Sequence, residues 1–257
     1  MIDIISDHPL PARTDVLGVP VSAVNLQAAV DIIGEWIRSR ERHYVCVTGV
    51  HGVMESWRDE ELRRIHAAAG MVTPDGMPMV WLLKMAGHRH ADRVYGPDLM
   101  LAMFAAGVEQ GVRHFLYGST PETTARLKDN LLSLYPGARI VGIHSPPIRP
   151  VGAPEDDAIC RMIDDSGADI VWVGLSTPKQ EVWMARHRDR LRCPVLIGVG
   201  AAFDMHAGAV RQAPRFIQRS GFEWLYRMAL EPRRLAWRYL RNNPAFVVLI
   251  LKQKMKL

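Results

Sequence analysis

The apolar and polar positions alternate between two periods along most of the chain. VLGVPV (Val16 to Val21) predicts a short strand. NLQAAVDIIGEWIRS has apolar residues at helical spacing and predicts a helix with Asn25 as its N-cap. HYVCVTGV is an apolar, β-rich run that reaches Gly49, and helical stretches follow around Val53 and Leu62. MVTPDG reads as strand then turn. MPMVWLLKMAG and DLMLAMFAAGVEQG read as helices, each closed by glycine. From Arg113 onward the alternation is clearer. RHFLYG, ARIVGIH, ADIVWVG and PVLIGVG predict strands, with TPETTARLKDNLLSLY, DDAICRMIDDSG and KQEVWMARHRDRL as the helices between them. Strands joined through helices of this length pair in parallel, in a sheet covered on both faces. The expected fold is therefore α/β and Rossmann-like, a mostly parallel sheet flanked by helices. The rhythm stops near Ala209–Pro214. This divides the chain into an α/β body, residues 1–210, and a C-terminal helical basic appendage, residues 211–257, rich in arginine and aromatics.

Composition narrows the class. The chain has 257 residues, 48% hydrophobic and 23% charged, which excludes a disordered chain, a collagen-like repeat and a coiled coil. Cys46, Cys160 and Cys193 are too few and too far apart for a disulfide framework, and no CxxC or Cys/His cluster suggests zinc. The opening MIDIISDHPLPARTD carries acids and prolines where a basic, apolar leader would sit. The longest purely apolar run, Ala245 to Leu251, is far short of the roughly 20 residues of a helical span. The expectation is a cytoplasmic protein with no transmembrane helix.

Charge changes the picture. The whole chain carries +5, yet residues 211–257 carry eight Arg and three Lys against Glu223 and Glu231, a net +9. The body is therefore at −4. An acidic body with a basic tail suggests that the tail meets an anionic partner: phosphate, nucleic acid or a lipid surface.

Ligands of open parallel sheets bind beyond the carboxyl ends of the strands. Five such ends are candidates: Thr48-Gly49 with His51, Thr73 to Gly76, Gly118 to Glu122, Gly174 to Gln180, and Gly198 to Asp204. Three of them combine glycine at the strand end with small or hydroxyl residues and a helix start. Glycine admits close backbone approach, and a helix N-terminus offers free N–H groups to phosphate oxygens. The same features also end strands and cap helices with no ligand at all. No GxGxxG follows a strand, and there is no Walker motif, no HExxH and no Asp-x-Asp pair for a divalent ion. Glu155-Asp156-Asp157 opens a helix, where acids are capping charge.

Asp75 sits in a Thr-Pro-Asp-Gly turn directly after an apolar strand. It reads either as an ordinary Asp-Gly turn or as a general base at the mouth of the sheet. Arg93 reads as a phosphate-binding arginine or a solvated charge. Gln180 and Glu181 read as sugar-binding or helix-capping residues. Cys46, inside an apolar strand, reads as core.

The blocks TPDGMPMVW, RVYGPDLM, FLYGSTPE, VGLSTPKQEVW, GVGAAFDMHAGAVRQAP and GFEWLYRMALEPRRLAWRYL, in that order, resemble the WecG/TagA/CpsF glycosyltransferases, family 26 of the sugar-transfer enzymes. The resemblance runs from about Val16 to about Asn243. It implies a bacterial, inverting transferase that needs neither cofactor nor bound metal. The implied substrates are a nucleotide-sugar (UDP-sugar) donor and a lipid-diphosphate-linked sugar acceptor, in polysaccharide biosynthesis at the cytoplasmic face of the plasma membrane. By motif, the resemblance assigns Asp75 as catalytic base, Thr48 as a polar active-site residue, Arg93 as an essential arginine and Gln180 as a substrate-contacting amide. Arg227 and Arg234 match appendage arginines that reach the active site. Gly118 and Ser119 join the substrate-binding set through their strand-end turn. Many members carry Asn two residues after the matching Thr; here Val50 stands there, and His51 is its potential replacement. Members often place two arginines before the appendage tyrosine, where this chain reads Trp237-Arg238-Tyr239.

Inverting transfer is a single displacement that needs a base for the acceptor hydroxyl and cationic stabilisation of the departing diphosphate. Arginine suits the second task, because its planar fork pairs with two phosphate oxygens. In the tail, Arg234, Arg238 and Arg241 fall on one helical face, and Trp224, Leu225, Met228, Leu235, Trp237 and Leu240 give apolar surface, with a period break expected at Pro232. Such short basic, aromatic helices fit a peripheral, anionic membrane surface. A nucleotide-dependent Rossmann-type oxidoreductase is the competing enzyme reading, weakened by the missing GxGxxG. A nucleic-acid-binding module is the non-enzyme alternative. The acidic body and the absence of an RNA-binding aromatic pattern argue against it, so nucleic acid is not an expected partner. Which sugar is moved, among N-acetylmannosamine, its uronic acid and glucose, stays open. So does the oligomeric state, a homo-oligomer included.

Overall fold

The computed structural model describes residues 10–147 and 157–255, so the start of the chain, Glu155, Asp156 and Lys256 lie outside the described residues. Six parallel strands form the central sheet: β3 (His43–Thr48), β4 (Met71–Pro74), β5 (Arg113–Gly118), β6 (Arg139–His144), β7 (Ile170–Gly174) and β8 (Val195–Gly198), in the order β4-β3-β8-β7-β5-β6. A separate antiparallel hairpin precedes them, β1 (Arg13–Val16) and β2 (Val19–Ser22). The single strand expected over Val16 to Val21 is thus the end of the first arm, the turn and most of the second arm of this hairpin. Leu17 and Gly18 both adopt positive φ, 53° and 87°, the two-residue turn whose twist matches antiparallel arms. A leucine in that conformation gave no turn signal in the sequence.

Helices α1 (Leu26–Ser39), α2 (Val50–Arg58), α3 (Glu60–Ala68), α4 (Met77–Met85), α5 (Gly96–Gln110), α6 (Pro121–Leu134), α7 (Asp157–Ser166), α8 (Lys179–His187) and α9 (Ala202–His206) cover the two faces. Asn25 caps α1 as expected, its side chain accepting the Ala28 N–H at 2.9 Å. The continuous apolar runs of the strands divide between two cores. Tyr44, Cys46, Val72, Phe115, Tyr117, Val171, Val173 and Leu196 pack with residues of α2, α3, α4, α7 and α8. Val45, Met71, Leu116, Ile170, Trp172, Val195 and Ile197 pack with α1, α5, α6 and α9. A strand buried on both faces has no polar alternation, which is why these segments read as runs.

The appendage comprises α10 (Arg215–Ser220), α11 (Glu223–Leu230) and a 24-residue α12 (Pro232–Met255) that contains Pro244. It folds back over the body. Phe246 joins the core that holds α2 and α3, and Arg58 donates to Asn242 Oδ1 at 2.9 Å. Near the other end, Gln253 bonds the backbone of Leu17 and Asp15 in the β1–β2 hairpin. Among the described residues no helix is long and apolar enough to cross a membrane.

The strand order places the site. The chain runs outward from β3 to β4, crosses to β5 and β6, then returns through β7 and β8 to lie beside β3. A crevice opens where that direction reverses, beyond the carboxyl ends of β3, β4 and β8.

Candidate active site

A cleft of about 670 Å³ occupies that crevice. Its floor is the ends of β3, β4 and β8, and its roof is α10, α11 and α12. Glycine makes the floor. A Cβ at Gly49 would lie 2.6 Å from the Asp75 carbonyl oxygen, so only glycine lets the β3 end meet the β4 turn. The Asp75 N–H then donates to Thr48 O at 3.1 Å. Gly76 follows with φ 101°, and the turn hands over directly to α4.

The Asp75 carboxylate projects into the cleft with 31% of its side chain exposed. Its recess is narrow enough that desolvation pushes its pKa above the usual carboxylate value, against the opposing pull of Arg93 and Arg227. Arg93 Nη2 stands 3.8 Å from Asp75 Oδ1. The Arg93 side chain is only 9% exposed, so it is no solvated surface charge. Its guanidinium lies 3.9 Å over the Tyr95 ring, Nη1 donates to Gln218 Oε1 at 2.9 Å, and Nη2 pairs closely with Glu223. Arg227 lines the same cleft. Burial opposes its charge, but Tyr239, Tyr95, Glu223 and Asp75 around it more than compensate and raise its pKa.

On the α2 side, burial and the nearby Arg238 and Arg58 push the His51 pKa down to about 4, so the ring is neutral at pH 7. Its Nδ1 accepts from Asn242 Nδ2 at 3.2 Å. At the β7 side, Gln180 and Glu181 are buried. A carboxylate only accepts, so the Glu181 Oε1 receives the Gln180 Nε2–H at 3.0 Å and the Thr177 hydroxyl at 2.8 Å. This fixes the Gln180 amide, whose Oε1 has no hydrogen-bond partner among the described residues. Among the described residues no group of three or more His, Cys, Asp or Glu is arranged to hold a metal ion.

Residues 14–257 match the model of the glycosyl transferase WecG/TagA/CpsF family. The chain belongs to that family. This glycosyltransferase is 27% identical over 200 residues to the N-acetylglucosaminyldiphosphoundecaprenol N-acetyl-beta-D-mannosaminyltransferase of Bacillus spizizenii strain W23, covering 78% of the chain and 75% of the relative. It is 25% identical over 197 residues to the protein of the same description from Bacillus subtilis strain 168, covering 77% and 74%.

In the glycosyltransferase the cleft brings together Asp75, Arg93, His51, Gln180 and Arg227 of the expected residues. Thr48 is adjacent but turned inward. Its hydroxyl donates to His66 Nε2 at 3.0 Å, because His66 Nδ1 already donates to the Leu62 carbonyl. Gly118 and Ser119 do not line the cleft. The Ser119 N–H donates to Gly174 O at 3.1 Å and its hydroxyl to Asp204 Oδ1 at 3.3 Å, which ties β5 to β7 and α9. The side chain of Arg234 lies outside the described residues. Sequence reasoning missed Glu223, Gln218, Tyr95, Tyr239 and Asn242. Glu223 carries a signal as one of two acids in a tail of net +9, and Tyr95 and Tyr239 lie in the quoted motif blocks; Gln218 and Asn242 carry none.

Proposed function

We propose that the enzyme moves N-acetylmannosamine from a UDP donor to a lipid-diphosphate-linked N-acetylglucosamine acceptor, with inversion at the anomeric carbon and without a metal ion. The observation that carries this reading is the Asp75 carboxylate at the mouth of β4, facing the guanidinium groups of Arg93 and Arg227 across one cleft. The acceptor hydroxyl oxygen attacks the anomeric carbon, its proton passes to Asp75, and the bond from that carbon to the diphosphate oxygen breaks as UDP leaves. A pKa raised above the ordinary carboxylate value suits Asp75 to take that proton near neutral pH. The cleft cations Arg227 and Arg238 supply charge for the departing diphosphate, a task that a metal ion otherwise performs. The names of the two Bacillus relatives support the choice of sugar and acceptor.

The same reading places the enzyme peripherally on the cytoplasmic membrane face. Phe216, Phe222, Trp237 and Leu240 of the appendage are exposed, as are Arg233 and Arg241, which flank Trp237 at helical spacing on α12. Exposed aromatic and basic side chains suit a headgroup region. The test is a panel of UDP-N-acetylmannosamine, UDP-N-acetylglucosamine and UDP-glucose against a synthetic N-acetylglucosaminyl-diphospho-lipid, with and without EDTA. The expected product forms from UDP-N-acetylmannosamine, carries a β linkage and accumulates equally in chelator. An α-linked product, or turnover lost in EDTA and restored by Mg²⁺, overturns the mechanism.

A further inference from the structure

Arg93 is the charge nearest the base, yet its hydrogen bonds go elsewhere. Gln218 and Glu223, which take Nη1 and Nη2, both belong to the appendage. Stacking on Tyr95 fixes the plane of the guanidinium fork. Asp75 is left at 3.8 Å from Nη2, at the outer limit of an ion pair. Glu223 has 14% of its side chain exposed, and desolvation raises its pKa while Arg93 opposes that shift. Arg93 is the strongest of the groups that favour the charged form of Glu223, ahead of Arg227 and a hydrogen bond from Tyr95. Asp75 and Glu223 thus both draw on the Arg93 guanidinium, with Arg227 acting on each as well, and the appendage carboxylate has the closer contact to Arg93.

We propose that Glu223 is a positioning residue for sugar transfer: it holds the Arg93 guanidinium on the appendage side, keeps it from closing onto Asp75, and so makes appendage docking a condition for a competent base. The inference rests on the reading of Asp75 as the base. Without Glu223, Asp75 is the remaining carboxylate beside Arg93, and a movement of about 1 Å would bring the two into a charge-assisted hydrogen bond of normal length. A carboxylate held that way is a weaker base, and one of its oxygens is no longer free for the acceptor hydroxyl. Other groups face Asp75 as well. Asp98 lies on α5, Tyr95 on the segment before it, Arg227 on α11, and Tyr239, itself beside Arg238, on α12. Glu223→Gln leaves all of these in place and keeps an amide oxygen for Arg93, so it removes one charge and little else.

The test is the pH profile of kcat/KM for the acceptor at saturating UDP-sugar, in the full-length enzyme. The wild-type acidic limb reports Asp75 and lies above the ordinary carboxylate range, since activity falls as the base protonates. In Glu223→Gln the limb should move down by about one pH unit, from loss of the like charge together with closure of Arg93 on Asp75, and Glu223→Asp, which keeps the charge, isolates the closure. The plateau should fall about 10-fold, within what general-base work contributes. Glu223→Asp keeps the charge but draws it back by one methylene. It should shift the limb in the same direction by less, and it carries the test alone if Glu223→Gln does not fold. A limb that stays in place or moves up, whatever happens to the plateau, overturns the proposal. Asp75→Asn separates the two levels. If it retains turnover, the base assignment fails. If it is inactive while the Glu223→Gln limb stays fixed, only the role of Glu223 fails.

Discussion

At the carboxyl end of β3, Gly49 lets the backbone meet Asp75, and the turn it forms opens under the appendage. At the carboxyl end of β5, Gly118 has φ 137° and a Cβ there would lie 2.5 Å from Gly174 O. Both glycines answer a close approach, and both are followed by residues able to bind phosphate. The β5 turn spends its polar groups internally. Ser119 bonds Gly174 and Asp204, Thr120 caps α6 through the Thr123 N–H, and Thr124 donates to Gly118 O at 2.8 Å. The β3–β4 turn instead leaves the Asp75 carboxylate without such a partner among the described residues and sets it near arginines from two other segments. A glycine at a strand end shows that something comes near. In both turns what comes near is the backbone of the neighbouring strand end, and the difference lies in where the polar side chains that follow are spent.

The sharpest way to break this comparison is to remove one polar group from each turn. Asp75→Asn should cut turnover by about 10²–10⁴-fold, the range for loss of a general base, with circular dichroism unchanged. Ser119→Ala should keep near wild-type turnover and lose at most some thermal stability. A comparable loss of turnover in both variants would mean that the β5 turn also touches substrate.

The glycines allow a second, smaller test. Gly49→Ala pushes a methyl against the Asp75 backbone, and displacing a reacting group by about 1 Å can cost 10²-fold in rate. Gly118→Ala pushes against Gly174 in a conformation that L residues rarely adopt, so it should cost stability instead, about 1–3 kcal/mol or more. Urea melts beside single-turnover rates separate the two. If Gly118→Ala is the variant with the larger rate loss per folded molecule, the assignment of the cleft to β3, β4 and β8 is wrong.

Much of this was legible in the chain because it depends on local chemistry. Two-sided burial writes apolar runs into β5, β7 and β8, and Asn25 caps α1 at the place where its side chain allows it. Strand ends and motif resemblance point to Asp75, His51, Gln180, Arg93 and Arg227, and all five line the one cleft. What escaped depends on long-range packing. Leu17 turns a hairpin because Gln253, more than 230 residues away, and the β1–β2 pairing hold it there. Thr48 looks like a site residue but points to His66, whose single ring proton is on Nδ1 and goes to the Leu62 carbonyl, so Nε2 is free to accept the Thr48 hydroxyl. Arg93 looks like a phosphate ligand, and only the packing of α10 and α11 shows that Gln218 and Glu223 already occupy its fork.

The appendage supplies the smallest predicted effect, and it sharpens the contrast from the outside. α12 has two regions of unlike surroundings. Around Asn242 and Phe246 it is buried against α2 and the body core, whereas Val247, Val248, Leu251 and Met255 are exposed and Lys252 and Lys254 stand in its last turns. Cations near a helix carboxyl end are favourable by themselves, so these lysines have a structural role before any membrane role. If they also reach anionic lipid, replacing Lys252 and Lys254 by Gln should weaken binding by about 1 kcal/mol per charge at most, and high salt should erase the difference. Lys256 belongs to the same basic run but lies outside the described residues. Turnover on a soluble acceptor analogue should stay near wild type, because neither lysine lines the cleft. Co-sedimentation with phosphatidylglycerol-containing vesicles at low and high salt, run beside that soluble assay, measures both. Vesicle binding that survives the double substitution at low salt would move the lipid contact to the exposed Phe216, Phe222 and Trp237. Turnover that falls on the soluble analogue would mean that the last turns of α12 hold Asn242 and Arg238 over the site.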